Sequence, residues 1–203
     1  NKDLPLLLDN YENNEDERDL NLISMKQLLK NDNLNNYILL QIWDRIWKTI
    51  SRYDEKVISS TSELRLSGDV LSRMCLLNNE YICKLIDKID SASNESIIYT
   101  IIVILKQLMY KLESNNDILS TLLLHNLKFL TLSNIEIKQA LIGTLLTGLH
   151  NKSELLLPIL PNRVLPLIYD ELSAKDEFKK IIPMGPYKYV IDEGLEIRKL
   201  CYE

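Results

Sequence analysis

The chain has 203 residues, of which 46% are hydrophobic and 26% are charged, so it can form one or two hydrophobic cores of ordinary size. With 5 glycines and 6 prolines, it has too few turn residues for a sheet-rich sandwich or a glycine-rich nucleotide-binding fold. The formal net charge of −5 and the pI near 5.2 exclude a strongly basic surface for nucleic acid or an anionic membrane.

The cysteine pattern and the chain ends indicate the setting of the protein. Cys75, Cys83 and Cys201 are an odd and widely spaced set, which indicates a reducing, intracellular compartment rather than a disulfide framework. No signal peptide is visible, and the longest apolar run, Ile97 to Leu105, is shorter than the roughly 20 residues of a membrane span. Because the chain has no initiator Met and Leu195 to Glu203 begin a helix without ending it, we expect a fragment.

Apolar residues recur at helical spacing along most of the chain, which predicts helices joined by short linkers rich in Asn and Ser. Leu4 to Leu8 would end a preceding helix, and the acidic stretch from Asn10 to Asp19 is predicted to be a solvated loop. Pro158, Pro161 and Pro166 are expected to kink or break the last long helix. Four helical hairpins are predicted, pairing residues 18–30 with 34–52, 61–76 with 79–89, 94–112 with 117–130, and 134–151 with 153–172.

Helix-start signals recur with a period. Ser60 with Glu63, and Ser133 with Glu136, form two capping-box patterns that are 73 residues apart, close to two units of about 37 residues. Another helix is predicted to begin between them, near Asn94. An acid–apolar–base triplet occurs in the same phase, at residues 63–65, 136–138 and 196–198. These spacings predict stacked two-helix repeats, an α-solenoid.

One segment interrupts this period. Lys138 and Arg198 are 60 residues apart, about twenty more than the repeat requires, and the excess lies in residues 174–194. β-Branched and aromatic residues flank a Gly185-Pro186 turn there, which predicts a β-hairpin projecting from the solenoid. Tyr187, Tyr189 and Ile191 would share one face of its second strand, with Lys188 and Val190 on the other. Because an isolated hairpin is marginally stable, it is expected to rest on the solenoid or on a partner.

The sequence offers no catalytic site, so we predict a protein without enzymatic activity, cofactor or metal ion. His125 and His150 lie on leucine-rich helices and are interpreted as structural. The cysteines have no metal-ligand spacing and are predicted to be buried, inert thiols. No phosphate-binding glycine loop or metalloprotease motif is present. Trp43 and Trp47, four residues apart on one helix, are predicted to pack in the core, with a partner contact as the alternative.

Two segments resemble the cullin-associated, neddylation-dissociated protein family. These are residues 140–171 and, with more specific motifs, residues 184–199, where a Gly-Pro-aromatic-Lys turn, a short strand, an acidic Gly-Leu and an Ile-Arg-Lys follow in order. Residues 134–203 match clearly, whereas residues 1–133 match in repeat layout. Pro183 stands where the family usually has an acid, and Tyr187 stands where Phe is commoner. Because proline has no N–H, the first strand is expected to be shorter or confined to an edge.

The resemblance implies an all-α fold, a HEAT-repeat α-solenoid with one projecting β-hairpin. Residues 1–203 would form a single solenoid fragment, with repeats at about 15–55, 56–92, 93–132 and 133–174, the hairpin at 177–193 and the start of the next repeat at 194–203.

The resemblance also implies a function, that of a non-enzymatic regulator of cullin–RING ubiquitin ligases. The C-terminal arc would hold the N-terminal region of a cullin, while the hairpin competes with the substrate-receptor adaptor and so promotes adaptor exchange on unneddylated cullin. A companion N-terminal segment of the same protein is an expected partner, the compartments are the cytoplasm and the nucleus, and neither nucleic acid nor a membrane is expected as a partner. The alternative is a generic HEAT or armadillo scaffold for another protein.

The predicted partner-binding site is the hairpin. Met184, Tyr187 and Tyr189 offer the rigid apolar area of interface hot spots, whereas lysines contribute mainly to steering. The alternative is that the insertion packs back on the solenoid. The predicted site residues are Lys179, Lys180, Ile182, Met184, Gly185, Pro186, Tyr187, Lys188, Tyr189 and Val190.

Overall fold

A computed structural model describes residues 4–30, 34–53, 61–112 and 116–203 of the chain. These residues form eleven α-helices and one two-stranded antiparallel sheet. They divide into two compact units, Asn1–Leu112 and Glu113–Glu203, which are described in turn.

The first unit consists of helices connected by short turns. Two of these helices begin at an asparagine whose side chain accepts backbone hydrogen bonds: Asn35 accepts from Tyr37 N, and Asn94 accepts from Ser96 N and Ile97 N. Such caps explain why asparagine is frequent in the linkers, and they confirm the predicted helix start near Asn94. The helices are α1 (Leu4–Asn13), α2 (Arg18–Leu28), α3 (Asn36–Ile50), α4 (Thr61–Leu77), α5 (Glu80–Ser91) and α6 (Glu95–Lys111).

Helix α4 lies at the centre of the first unit, where it packs against both α2 and α6. Gly68 allows the close approach of α4 to α6, because a Cβ atom at this position would lie 2.6 Å from Val103 Cγ1. Trp43 and Trp47 are 4% and 3% exposed and contact each other edge to face, with ring centroids 5.8 Å apart. The prediction that they pack in the core is therefore confirmed.

The predicted solvated loop from Asn10 to Asp19 is wrong. Helix α1 continues to Asn13, a 3-10 turn follows at Glu15–Glu17, and α2 begins at Arg18. The reason is that Leu8 and Tyr11, three residues apart, are both buried and extend the apolar face of α1. Arg18 also donates from Nε to the Tyr11 carbonyl oxygen at 3.2 Å, which binds one of the last carbonyl groups of the helix.

The second unit begins with regular helices and becomes irregular at the prolines. As predicted, Pro158, Pro161 and Pro166 break the last long helix, which becomes a short helix, a π-helical turn (Leu160–Val164) and a second short helix. The elements are α7 (Asn116–Leu127), a 3-10 turn (Lys128–Thr131), α8 (Ile135–Asn151), α9 (Ser153–Leu156), α10 (Leu165–Glu171), β1 (Lys179–Met184), β2 (Tyr187–Asp192) and α11 (Leu195–Tyr202).

The predicted capping boxes have different outcomes. Ser60 lies outside the described residues. At α8 the capping residue is Asn134, whose side chain accepts from Ile137 N at 3.0 Å, so the prediction of Ser133 is wrong by one residue. Asparagine caps as well as serine does, and Ser133 instead donates to Glu177 at 3.2 Å.

The acid–apolar–base triplets mark equivalent positions. Each lies at the beginning of a helix, and its apolar member, Leu64, Ile137 or Ile197, is at most 1% exposed. The predicted fold class, an α-solenoid with one β-hairpin near the end of the chain, is confirmed. The proposed repeat boundaries stay a prediction.

Candidate protein-binding site

The hairpin formed by β1 and β2 turns over two residues, Gly185 and Pro186. The strands pair in register from Lys179 with Asp192 to Met184 with Tyr187. Gly185 has φ +61°, which is the requirement of the first loop residue in a type II′ turn. A type I′ turn would need a positive φ at Pro186 as well, which the pyrrolidine ring forbids.

Pro183 does not shorten β1. The pair that flanks a two-residue loop, Met184 with Tyr187, is hydrogen bonded, and pairs alternate from there. Pro183 and Lys188 therefore form a non-hydrogen-bonded pair, in which the proline nitrogen points away from β2. The missing N–H costs no bond to β2, and the expectation of a shorter strand is wrong. The nitrogen instead faces the open edge of β1, so the expectation of an edge position holds.

Both faces of the hairpin are exposed. One face carries Tyr187, Met184 and Tyr189, which are 77%, 62% and 59% exposed, together with Ile182. The opposite face carries Ile181 and Val190, 59% and 52% exposed. Within the described residues the strands do not pack back on the helices, so that alternative is wrong for this part of the chain. Large apolar residues gathered on a projecting element mark an interaction surface.

The hairpin is fixed at its base by Phe178, which immediately precedes β1. This side chain is 5% exposed, and its carbonyl oxygen accepts from Glu193 N at 2.9 Å, which closes the hairpin. A Cβ atom at Gly194 would lie 2.9 Å from Phe178 Cδ2, so glycine allows the start of α11 to lie against this ring.

A second contact couples the hairpin to α11. Arg198 donates from both terminal nitrogens to the Asp192 carboxylate, at 3.3 Å and 2.6 Å, and Gly194 N donates to the same group at 3.1 Å. The hydrogen bonds from Arg198 hold the pKa of Asp192 below its ordinary value. Such a bidentate pair fixes orientation as well as distance, so the last residue of β2 is held against the first turns of α11.

The charges of the hairpin are mostly positive. Lys179 is paired with Asp176 at 2.7 Å. Among the described residues, the exposed Lys180 and Lys188 make no ion pair. In a chain of net charge −5, this local excess of cations favours a partner surface that carries acidic groups.

Helix α11, which follows the hairpin in the chain, packs on α8 and α10. A buried ion pair joins α8 to α10. Lys138 of α8 and Glu171 of α10 are 2% and 3% exposed, and the Lys138 ammonium group donates to the Glu171 carboxylate. Lys175 donates to the same carboxylate oxygen at 2.9 Å. This network ties together the helices that support the hairpin.

All ten predicted site residues lie on the hairpin, but the prediction omits Ile181, Lys138 and Glu171. Ile181 is as exposed as Tyr189, at 59%. The role of Lys138 and Glu171 was also missed. The triplet of residues 136–138 contained the signal, because a lysine immediately after a buried isoleucine in a first turn can itself be drawn inward.

The predictions about cysteine and histidine are partly wrong. Cys75 is buried, and burial raises the pKa of its thiol to about 12. Cys83, however, is exposed, because it lies on the face of α5 that also carries the exposed Glu80 and Asp87. His150 is exposed at the end of α8 and therefore has no structural role in a core.

Within the described ranges, no three His, Cys, Asp or Glu side chains are placed to hold a metal ion. Nor does any described helix have the length and apolar character needed to cross a bilayer.

The fold and this surface define a class of protein: a helical-repeat protein with an exposed β-hairpin. A family model described as "TATA-binding protein interacting (TIP20)" matches residues 156–203, which include the hairpin and α11. A Candida albicans protein named cullin-associated NEDD8-dissociated protein 1 is 44% identical over 165 residues, 80% of this chain and 13% of that protein.

More distant relatives have the same name. The Arabidopsis thaliana protein is 24% identical over 209 residues, 98% of this chain and 16% of that protein. An Emericella nidulans protein named cullin-associated NEDD8-dissociated protein 1, C-terminal part, is 27% identical over 207 residues, 98% of this chain and 19% of its own length. The chain belongs to the cullin-associated NEDD8-dissociated protein family, and it spans less than a fifth of the length of these relatives.

Proposed function

We propose that this chain is a non-catalytic, cullin-binding segment of a regulator of cullin–RING ubiquitin ligases, and that its hairpin forms part of the cullin contact. The observation that carries the proposal is the hairpin itself, whose large apolar residues are exposed on both strands while its base is anchored to buried residues. The names of the relatives supply the class of partner.

The hairpin competes with the substrate-receptor adaptor for the N-terminal region of the cullin. Occupation of that surface by the hairpin weakens adaptor binding and so promotes exchange of adaptors on unneddylated cullin. Because the chain is a small part of its relatives, a companion segment of the same protein contributes further contacts. The site of action is the cytoplasm and the nucleus.

Different side chains of the hairpin contribute to cullin binding in different ways. Tyr187 and Tyr189 lie two residues apart on one face of β2 and bury much rigid area when a partner covers them. Met184, paired with Tyr187 across the hairpin, adapts to the shape of the opposing surface. Lys180 and Lys188 accelerate association with an acidic surface more than they strengthen the complex.

The test is a titration of the chain with the N-terminal region of a cullin, with and without adaptor. We expect Tyr187→Ala to weaken binding by about 2 kcal/mol, the scale of an interface hot spot. Tyr110→Ala is the matched control, because Tyr110 is 67% exposed on α6 and lies outside the hairpin. Its affinity should equal that of the unchanged chain.

Deletion of the hairpin is a stricter test of the proposal. If the chain without residues 179–189 binds cullin and displaces adaptor as the intact chain does, the role of the hairpin is refuted. If the intact chain captures other proteins but no cullin, the generic scaffold is the correct function.

A further inference from the structure

The basic residues of the acid–apolar–base triplets bind side chains of neighbouring elements. Arg65 Nε donates to the Tyr99 hydroxyl at 3.0 Å, which links α4 to α6. The Lys138 ammonium group donates to the Glu171 carboxylate, which links α8 to α10. The two acceptors lie 34 and 33 residues further along the chain, close to the predicted repeat length. In both triplets this residue therefore connects its own helix to an element about one repeat further on.

In the third triplet the hairpin supplies the acceptor. Arg198 donates from its two terminal nitrogens to the two oxygens of Asp192, which lies 6 residues earlier, at 3.3 Å and 2.6 Å. Asp192 is the last residue of β2. The position that connects a helix to a later element in the other triplets thus connects α11 to the hairpin.

Arg198 is carried by a helix whose own position is fixed. It follows Ile197, which is 1% exposed, and α11 packs on α8 and α10. Two parallel hydrogen bonds between a guanidinium group and a carboxylate fix an angle as well as a distance. The next residue, Lys199, forms its ion pair within α11, with Glu196 at 2.6 Å. Of these two neighbouring cations, it is Arg198 whose ion pair reaches the hairpin.

The base of the hairpin has the form of a hinge. The chain enters at Phe178 and leaves at Glu193, and a hydrogen bond of 2.9 Å joins these two residues. Beyond this base the strands do not pack on the helices in the part of the chain that the structure describes, so few contacts resist a rotation of the hairpin about its base. The pair of Asp192 with Arg198 adds a side-chain contact that opposes this rotation.

A small rotation at the base becomes a large displacement near the turn. Tyr187 and Asp192 are the first and last residues of β2, roughly 17 Å apart at the rise of a β-strand. A rotation of about 10° therefore moves Tyr187 by about 3 Å. Binding groups must be held to within about 0.5 Å of their productive position, so the angle of the hairpin matters for its tyrosines.

We propose that Arg198 is a positioning residue for cullin binding, which acts through Asp192 to hold the hairpin at the angle in which its tyrosines meet the partner. This inference rests on the proposed function of the hairpin. Without the pair the hairpin samples several angles, the partner selects one of them, and affinity falls because that freedom is lost on binding. The fold is little affected, since a partly exposed ion pair contributes little to global stability.

The first measurement uses the 203-residue chain without a partner. Residual dipolar couplings of backbone amides report the angle of the hairpin relative to α8. In Arg198→Gln we expect the couplings of β1 and β2 to shrink while those of α8 keep their values, and the melting temperature to change by no more than about 4 °C. Lys199→Gln is the matched control, because it removes the same charge and an ion pair from the same helix, and it should leave the couplings of the hairpin unchanged.

The second measurement is a titration with the N-terminal region of a cullin. Arg198→Gln should weaken binding by about tenfold, whereas Lys199→Gln should bind as the unchanged chain does. Asp192→Asn removes the charge of the acceptor but retains an oxygen that can accept from Gly194 N. The double variant of Asp192→Asn with Arg198→Gln should bind no more weakly than Arg198→Gln alone, because both substitutions break the same pair.

Three results would overturn the proposal: unchanged hairpin couplings in Arg198→Gln, full addition of the two losses in the double variant, or unchanged affinity of Arg198→Gln when Tyr187→Ala weakens binding. If Tyr187→Ala also leaves the affinity unchanged, the proposed function of the hairpin has failed. The couplings, which need no cullin, then decide alone whether Arg198 sets the angle of the hairpin.

Discussion

Lys138 and Glu171 show how individual charged residues hold the helices that support the hairpin. Both are almost completely buried, and the Lys138 ammonium group also donates to the carbonyl oxygen of Leu130. Removing one partner of a buried pair leaves the other charge desolvated without compensation. The two partners here are not equivalent, because Glu171 has a second cation, Lys175, and Lys138 has no second carboxylate within ion-pair distance in the described residues.

This asymmetry predicts unequal effects of substitution. Glu171→Leu should lower the free energy of unfolding by about 3–5 kcal/mol, because it leaves Lys138 buried without a counter-charge. Lys138→Met should cost less, since Glu171 remains paired with Lys175. The double variant should recover most of the loss. Urea denaturation of the four proteins measures these differences, and equal losses in the two single variants would contradict the argument.

Glu63 is a second buried acid, and it makes stability depend on pH. Burial raises the pKa of Glu63 above its ordinary value of 4.5, although Tyr53 and Arg18 act in the opposite direction. The folded chain then binds this proton more readily than the unfolded chain does. Stability from this group is greatest below pH 4.5 and is lost as the pH rises through the raised pKa.

Glu63→Gln should therefore reduce this dependence. We expect the variant to gain stability relative to the unchanged chain as the pH rises from about 5 to about 7. Thermal or urea unfolding across that range measures the difference. A constant difference at every pH would show that Glu63 titrates alike in the folded and unfolded chains.

At the scale of elements, the hairpin was the part best predicted from sequence. Gly185-Pro186 determines the turn, and a two-residue loop sets the register of every pair above it. The exposure of both faces could not be predicted, because an alternating apolar pattern indicates a covered face without saying what covers it. The end of α1 was not predicted because five of the ten residues from Asn10 to Asp19 are acidic, whereas the buried Leu8 and Tyr11 extend the apolar face of the helix.

The junction of β2 with α11 yields a test of how the hairpin is held. Gly194→Ala should destabilise the chain by about 1–3 kcal/mol, because its Cβ atom would overlap the Phe178 ring. Combining it with Phe178→Val should cost less than the sum of the two single variants, since these side chains are in contact. If the loss of stability in the double variant equals the sum of the two single losses, the Phe178 ring moves aside without cost and the junction is not tightly packed.

At the scale of the whole chain, periodic signals were more reliable than single motifs. The acid–apolar–base triplet located three helix starts correctly because its apolar member must enter the core in each. The serine capping pattern failed at α8, since a neighbouring asparagine satisfies the same donors.

The lysines of the hairpin predict how fast the chain associates with cullin. This prediction rests on the proposed function. Lys180→Gln with Lys188→Gln should slow association with cullin at low salt by about tenfold or less and change dissociation little. Lys106→Gln, outside the hairpin, is the control. Stopped-flow measurements at several salt concentrations distinguish these steps. An effect confined to dissociation would show that the lysines are desolvated contacts rather than steering charges.

The pairing of Lys179 with Asp192 brings the two ends of the hairpin side by side. Directly opposed residues in a non-hydrogen-bonded pair have Cα atoms about 4.5 Å apart, little more than the length of one peptide unit. A short glycine link can therefore replace everything between them without pulling on Phe178 or α11. The hairpin can thus be exchanged as a unit. Hairpins from relatives can be inserted between Phe178 and α11 to compare their partner preferences directly.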